Sequence, residues 1–291
     1  MGNSSTINTK LSNKNPLVNI AFTGGFFMKV ITITKKTLIC ILCCVLIGAI
    51  MLLLCTSTAT QVIQTATTDR LIPIYYVDTN EKVCAISFDA AWGNEQTNEL
   101  LDILDTYDVR TTFFLVGSWV DMYPKSVEEI YARGHEIGNH SDTHAHMTQI
   151  SRSEQIAEIE NCNKKISDIT KNKVTLFRPP YGEYDNCVVE SCYSTDMYCV
   201  QWNIDSLDWK DPTPQDMVKR IENNLCEGSI ILLHNGAKNT PQALPKIIEA
   251  IHAKGYKIVP ISKLLPQGEY TTDHEGKMIT TNNKNTERKI Q

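Results

Sequence analysis

Val83-Cys84-Ala85-Ile86-Ser87-Phe88-Asp89 is a short, mostly apolar run that ends on a carboxylate. A run of this length and composition reads as a buried strand. The same shape recurs at 111–116, 135–139, 175–177, 198–202, 229–233 and 257–260. A polar group follows several of these runs: His140 after the third, Arg178 after the fourth, Asp205 after the fifth and His234 after the sixth. Between them lie amphipathic stretches such as 94–107, with Leu100, Leu101, Ile103 and Leu104 on one side, and 153–170, with Ile156, Ile159 and Ile166. Thr213-Pro214 and Thr240-Pro241 each offer an N-cap followed by a proline at the first helical position. Strands alternating with helices predict a parallel α/β architecture, either an open doubly wound sheet or a closed barrel. Polar groups gathered at strand C-termini favour the barrel, which builds its site there.

His140-Ser141-Asp142-Thr143-His144 carries two imidazoles at i and i+4, which reach one point if the segment turns like a helix. Such a pair suits a metal ion, but taken alone it is as often two surface or packing histidines. An acid, an arginine and a further histidine at other strand ends tilt the balance towards a site.

These residues together resemble the polysaccharide deacetylase (NodB-homology) family, the family 4 carbohydrate esterases. The resemblance covers roughly residues 75–265 and rests on five motifs in the family's order. Ser87-Phe88-Asp89-Ala90 stands where the family has T-F-D-D. His140–His144 matches H-S/T-x-x-H, and Arg178-Pro179-Pro180-Tyr181-Gly182 matches R-x-P-Y-G. Asp205-Ser206-Leu207-Asp208-Trp209 and Leu232-Leu233-His234 match the fourth and fifth motifs. The resemblance implies a distorted (β/α)7 barrel with Asp89 as catalytic base, oriented by Arg178. It implies His140 and His144 as metal ligands and the Tyr181 N–H as an oxyanion donor. His234 becomes the general acid, oriented by Asp208, and Trp209 and Leu232 line the substrate cleft. The implied cofactor is a divalent cation, Zn²⁺ first, with Co²⁺ or Mn²⁺ as alternatives. His146 is read as a bystander.

One position departs from the pattern. The family's second aspartate is a metal ligand, and here Ala90 replaces it. Another acid can substitute (Asp142 and Asp89 are nearest in sequence), waters can complete the shell, or the metal is lost. The variant Ser87-Phe88-Asp89-Ala90-Ala91-Trp92-Gly93 also resembles the sporulation-associated, peptidoglycan-directed branch of the family.

The remaining features concern location. Residues 37–55 are apolar without a single charge, nearly enough at about 1.5 Å each to span a bilayer core of about 30 Å. Lys29, Lys35 and Lys36 precede this run and no Lys or Arg follows until Arg70, which places residues 1–36 in the cytoplasm and the rest outside. The run is read as a retained signal-anchor; cleavage near Ala59 would instead secrete the protein. Residues 1–27 show no recognisable structure, and Met28-Lys29 reads as a natural start of translation. A tether (56–72), a catalytic domain (73–267) and a disordered polar tail (268–291) complete the expected organisation.

The chain has 291 residues and a formal net charge of −5, so composition does not point to nucleic acid as a partner. Of ten cysteines, four (Cys40, Cys43, Cys44 and Cys55) lie in the apolar run and read as small hydrophobes. Among the other six none shows C-x-x-C zinc spacing, and Cys84 and Cys199 fall inside strand runs and read as packed thiols. The expected function is metal-dependent removal of N-acetyl groups from a cell-surface amino-sugar polymer, with peptidoglycan as the first choice. A glycan-binding protein on a disabled esterase fold and an O-acetyl esterase are the alternatives.

Overall fold

The computed structural model describes residues 17–22, 29–66 and 70–281. The chain divides into two units, Met1–Asp69 and Arg70–Gln291. In the first, β1 (Leu17–Phe22) pairs antiparallel with β2 (Lys29–Thr34), Leu17 opposite Thr34 and Phe22 opposite Lys29. Residues 17–22 thus depart from the expectation that 1–27 is structureless, and the rest of that stretch lies outside the described residues. Val18 and Ile20 on one strand and Val30, Ile31 and Ile33 on the other are residue types that favour strands.

Helix α1 (Lys35–Ala66) follows. It continues past residue 55 into the expected tether, because no proline or glycine stops it there. The expected span 37–55 lies within α1, but its side chains beyond residue 51 fall outside the described residues. Among the described residues no helix is long and apolar enough to cross a membrane.

The second unit begins with β3 (Tyr76–Val77), β4 (Val83–Ala90), α2 (Thr97–Thr106), β5 (Thr112–Leu115), α3 (Gly117–Met122), α4 (Pro124–Ala132) and β6 (Glu136–Asn139). It continues through α5 (Arg152–Thr170), β7 (Leu176–Phe177), α6 (Asn186–Ser194), β8 (Tyr198–Cys199) and β9 (Ile204–Asp205). The last elements are α7 (Pro214–Asn224), β10 (Ser229–His234), α8 (Thr240–Ala253), β11 (Lys257–Ile258), α9 (Ile261–Leu264), β12 (Tyr270–Thr272) and β13 (Lys277–Thr280). Each of the seven apolar runs read from the sequence contains a strand.

The strands pair in the order β12-β13-β3-β10-β4-β5-β6-β7-β8, parallel from β10 to β8. After β8 the chain turns back: β9 pairs with β10, and Val200 bridges to Ile74. β11 takes no place of its own in a ring. It pairs with the first residues of β4, whose last residues pair with β5. The expected distorted (β/α)7 barrel is an α/β half-barrel, because β7, β8, β9 and β11 are two residues long and cannot sustain a full ladder.

Alternation along β4 divides its side chains. Cys84, Ile86, Phe88 and Ala90 join the large apolar cluster that also contains Leu100, Leu101 and Leu104 of α2. Ala85 belongs to the other cluster, with Phe114, Leu176, Val200 and Ile230. Cys84 and Cys199 are fully buried thiols, and burial pushes Cys84 up to about 12.

Two local expectations change. Thr213 caps α7 as expected, its Oγ1 accepting the Asp216 N–H. Thr240 does not cap α8: Asn239 occupies the N-cap position, and the Thr240 hydroxyl donates to Asp208 Oδ2 at 2.8 Å instead. The polar stretch from 268 is not a tail throughout. β13 pairs with β12 and β3, and Met278 is fully buried beside Leu264 and Leu265. Residues 282–291 lie outside the described residues.

Candidate active site

Strand register assembles the site. Asp89 on β4 lies opposite His234 on β10, and Phe114 on β5 flanks it on the other side. Asn139 lies opposite Phe177, so the residues that follow them, His140 and Arg178, leave the sheet at one level. Asp205 lies opposite Leu232. Five polar groups thus converge at one end of the half-barrel.

Asp89 and Arg178 form a buried ion pair: Arg178 Nη1 donates to Asp89 Oδ1 at 2.6 Å. Arg178 Nη2 donates to Ser87 Oγ at 3.0 Å and the Gln201 carbonyl at 3.1 Å, and the guanidinium lies 4.0 Å over the Phe114 ring. Burial alone would raise the Asp89 pKa. Arg178, with His140 and His234, outweighs it and holds the carboxyl below its usual range.

His140 Nδ1 lies 2.8 Å from the Arg178 carbonyl, which can only accept, so Nδ1 carries the proton and Nε2 is left with a lone pair. A ligating histidine is commonly oriented this way. Burial keeps the His140 ring neutral. Its Nε2 faces Asp89 Oδ2 at 3.4 Å, two acceptors that need a positive group or a water hydrogen between them. His144 stands with its ring centroid 5.0 Å from that of His140, and burial pushes its pKa down to about 4.

The segment joining these histidines is not helical, contrary to the spacing argument. Ser141 (φ 67°) and His144 (φ 61°) both take the left-handed conformation, and the loop is held from α5. Glu158 Oε2 accepts the Asp142 and Thr143 N–H groups, each at 2.8 Å, and Glu158 Oε1 accepts the Thr143 hydroxyl at 2.8 Å. Asp142 Oδ1 pairs with Lys165 at 2.7 Å. The loop also lies against Gly117, where a Cβ would stand 2.0 Å from Asp142 Oδ1.

These contacts settle one of the open alternatives for the third ligand. Asp142 is committed to Lys165 and does not turn towards the two histidines. Ala90 is fully buried in the same apolar cluster as Phe88. Among the described residues no group of three His, Cys, Asp or Glu is disposed to hold a cation. Besides the two imidazoles the site offers the Asp89 carboxylate, which gives Oδ1 to Arg178 and turns Oδ2 to His140 Nε2 at 3.4 Å.

On the other side, His234 Nδ1 lies 2.7 Å from Asp208 Oδ1, and its backbone N–H donates to Asp208 Oδ2 at 2.7 Å. Asp208 is fully buried and follows Leu207, another left-handed residue (φ 59°). Burial works against the imidazolium, but Asp208, then Asp89 and Asp205, outweigh it and raise the His234 pKa. Tyr181 sits at φ 60° in the Pro180–Gly182 turn, and its N–H takes no acceptor among the described residues. The Tyr181 ring meets His144 edge-on at 4.4 Å and stacks on His146 at 4.1 Å; His146 in turn pairs with Glu183 at 2.9 Å.

A cavity of about 340 Å³ opens between these groups. Asp89, His140, His144, Tyr181, Trp209, Leu232 and His234 line it, while Arg178 and Asp208 stand behind the residues they hold. Trp92, Trp202 and Asp205 line it as well. Asp205 carries no assigned role from the sequence, where it ends a strand run and opens the fourth motif. The two tryptophans were not expected at the site, although an aromatic three residues beyond Asp89 and another beside the fifth strand are signals that could have pointed to them.

Comparison with known proteins places this geometry. The polysaccharide deacetylase family model matches residues 76–200. A peptidoglycan-N-acetylglucosamine deacetylase of Bacillus cereus is 34% identical over 196 residues, 65% of this chain and 91% of that protein. The uncharacterized protein YlxY of Bacillus subtilis is 31% identical over 67% of this chain and 61% of its own length, so this chain spans less than two thirds of that relative. A family 4 carbohydrate esterase pseudoenzyme of Bacillus anthracis superposes with a TM-score of 0.65 at 33% identity, over 71% of this chain and 70% of that one. A mutant of that pseudoenzyme with restored enzymatic activity superposes equally well. The chain belongs to the polysaccharide deacetylase family.

Proposed function

We propose that this protein is a hydrolase that removes N-acetyl groups from an amino-sugar polymer of the cell wall, with peptidoglycan as the substrate class. The observation that carries the proposal is the pair of oriented acid–base groups on one cavity: Asp89 held by Arg178 at 2.6 Å and His234 held by Asp208 at 2.7 Å. A module that only binds glycan has no need of either arrangement. The name of the B. cereus relative supports the substrate class.

The roles follow from protonation. Asp89, its pKa lowered, is ionised at neutral pH and can take a proton from water attacking the amide carbonyl. The oxyanion that forms needs a donor, and the Tyr181 N–H lies beside the cavity without another acceptor; one such donor is worth about 3–4 kcal/mol. His234, its pKa raised, is protonated when the amine leaves and can supply the proton. The products are acetate and an amino sugar. Half-exposed Trp209 offers a face to a sugar ring.

Ala90 favours a second reading, in which the chain binds glycan without hydrolysing it. One experiment separates the two: the purified protein is incubated with an N-acetylglucosamine oligomer and, separately, with an O-acetylated polymer, with and without added Zn²⁺, Co²⁺ or Mn²⁺, and acetate is measured. Acetate release supports the hydrolase. Glycan retention without acetate under every condition supports the binding protein, and loss of acetate from an O-acetylated polymer alone supports an esterase.

The location is proposed on sequence grounds: a single-pass anchor at 37–55 with the hydrolase domain outside the cell, placed beside its substrate. Ile39, Leu42, Val45 and Leu46 of α1 are all more than half exposed, a surface that suits lipid. Protease treatment of intact cells that spares this domain would overturn it.

A further inference from the structure

We propose that Trp92 is a positioning residue for the proton donor: it covers one face of the His234 imidazole and so fixes the direction in which Nε2 points. This rests on the role of His234 given above. The Trp92 and His234 rings are stacked, centroids 5.4 Å apart and planes 28° from parallel. Asp208 holds the opposite part of the ring through Nδ1. A single hydrogen bond at one nitrogen leaves an imidazole free to rock, because rotation about its χ2 is broad. A stacked face removes that freedom. With Nδ1 occupied and one face covered, Nε2 is the polar atom left for the cavity that both rings line.

Trp92 can serve this purpose because its backbone is held although its ring is about half exposed. The Gly93 carbonyl accepts Trp119 Nε1 at 2.7 Å and Asn235 Nδ2 at 3.4 Å. Asn235 also donates its backbone N–H to the Asp89 carbonyl at 3.2 Å. The two loops lie so close that a Cβ at Gly236 would stand 2.5 Å from the Trp92 carbonyl. The loop after β4, which carries Trp92, and the loop after β10, which follows His234, are therefore fastened to each other next to the stack. A tryptophan kept only as a sugar platform would not need its inner face closed by the proton donor.

The test compares Trp92→Ala and Trp92→Phe with the native full chain in detergent, using an N-acetylglucosamine oligomer as probe. Two readouts are taken. The first is the proton NMR shift of the His234 ring, which a stacked indole displaces by its ring current. It is expected to move by several tenths of a ppm in Trp92→Ala, and it needs no turnover. The second is the kinetic split: Trp92→Ala lowers kcat at least tenfold while KM changes less than threefold, and Trp92→Phe, which keeps an aromatic face, restores kcat to within about threefold. An unshifted His234 resonance in a folded Trp92→Ala protein overturns the proposal, as does a variant whose whole loss lies in KM. If the native chain releases no acetate, the hydrolase reading fails, and nuclear Overhauser contacts of the His234 ring protons decide the proposal: they are expected to spread over several ring orientations in Trp92→Ala, and one unchanged orientation overturns it.

Discussion

His234 and Asp208 are joined twice, once through the imidazole Nδ1 at 2.7 Å and once through the His234 backbone N–H at 2.7 Å, with the Asp208 carboxylate closed off from solvent. The second bond ties the carboxylate to the strand as well as to the ring. Thr240 at the start of α8 fixes it a third time.

This pair makes stability depend on pH in a defined direction. The folded pKa of His234 lies above its unfolded value of about 6.5. Its contribution to stability is therefore complete below about pH 6.5 and is lost as pH rises through the folded pKa. Urea unfolding midpoints of the native protein should fall over that window. In Asp208→Asn this component of the slope should vanish, and the high-pH limit of turnover should move to lower pH. An unchanged pH profile would show that Asp208 does not tune His234.

Asp89→Asn should leave a folded protein, because the amide oxygen still accepts from Arg178. Turnover should fall by about 10²- to 10⁴-fold, the usual range for loss of a general base. Acetate release at a near-native rate would assign the base elsewhere.

Arg178→Met should be more damaging to the fold than Asp89→Asn. It leaves a buried carboxylate without its partner, which costs about 3–5 kcal/mol. Chemical denaturation measures this directly; a loss below about 1 kcal/mol would mean that Asp89 finds another cation or protonates freely.

The open metal corner can be probed by Ala90→Asp. Without metal the variant should unfold at a lower temperature than the native chain, because a carboxylate enters an apolar cluster. Added zinc should then raise its unfolding temperature more than it raises that of the native protein. Equal zinc responses would show that residue 90 cannot reach the two histidines.

Met278→Ala should destabilise the domain by about 2–5 kcal/mol, as for a fully buried methionine. Removing 268–291 should cost more, since β13 also pairs with β3. A truncated protein with a native denaturation midpoint would restore the view of this segment as a tail.

What the sequence made legible divides by length. Runs of five or six residues such as 111–116 and 229–233 announce a strand, and a polar residue directly after a run announces the open end of the sheet. The five motifs then carry their residues to one cavity. Two-residue strands leave no period to detect, so the crossing of β9 to β10 and the doubling of β11 on β4 were invisible. Conformation inside the motifs was hidden as well. Ser141, His144, Tyr181 and Leu207 all lie at positive φ, which none of these residue types advertises. Glu158 was missed because its service to the loop comes from α5, fourteen residues beyond His144 in the chain.

Gly117 gives this architecture an unexpected point of control. It is the first residue of α3 and touches none of the groups assigned to chemistry, yet the histidine-bearing loop presses directly on its α-carbon. A single methyl there would stand 2.0 Å from Asp142 Oδ1 and 3.0 Å from its α-carbon, so the loop would have to shift between the two imidazoles it carries. The lone hydrogen of Gly117 is what lets helix α3 and that loop lie together.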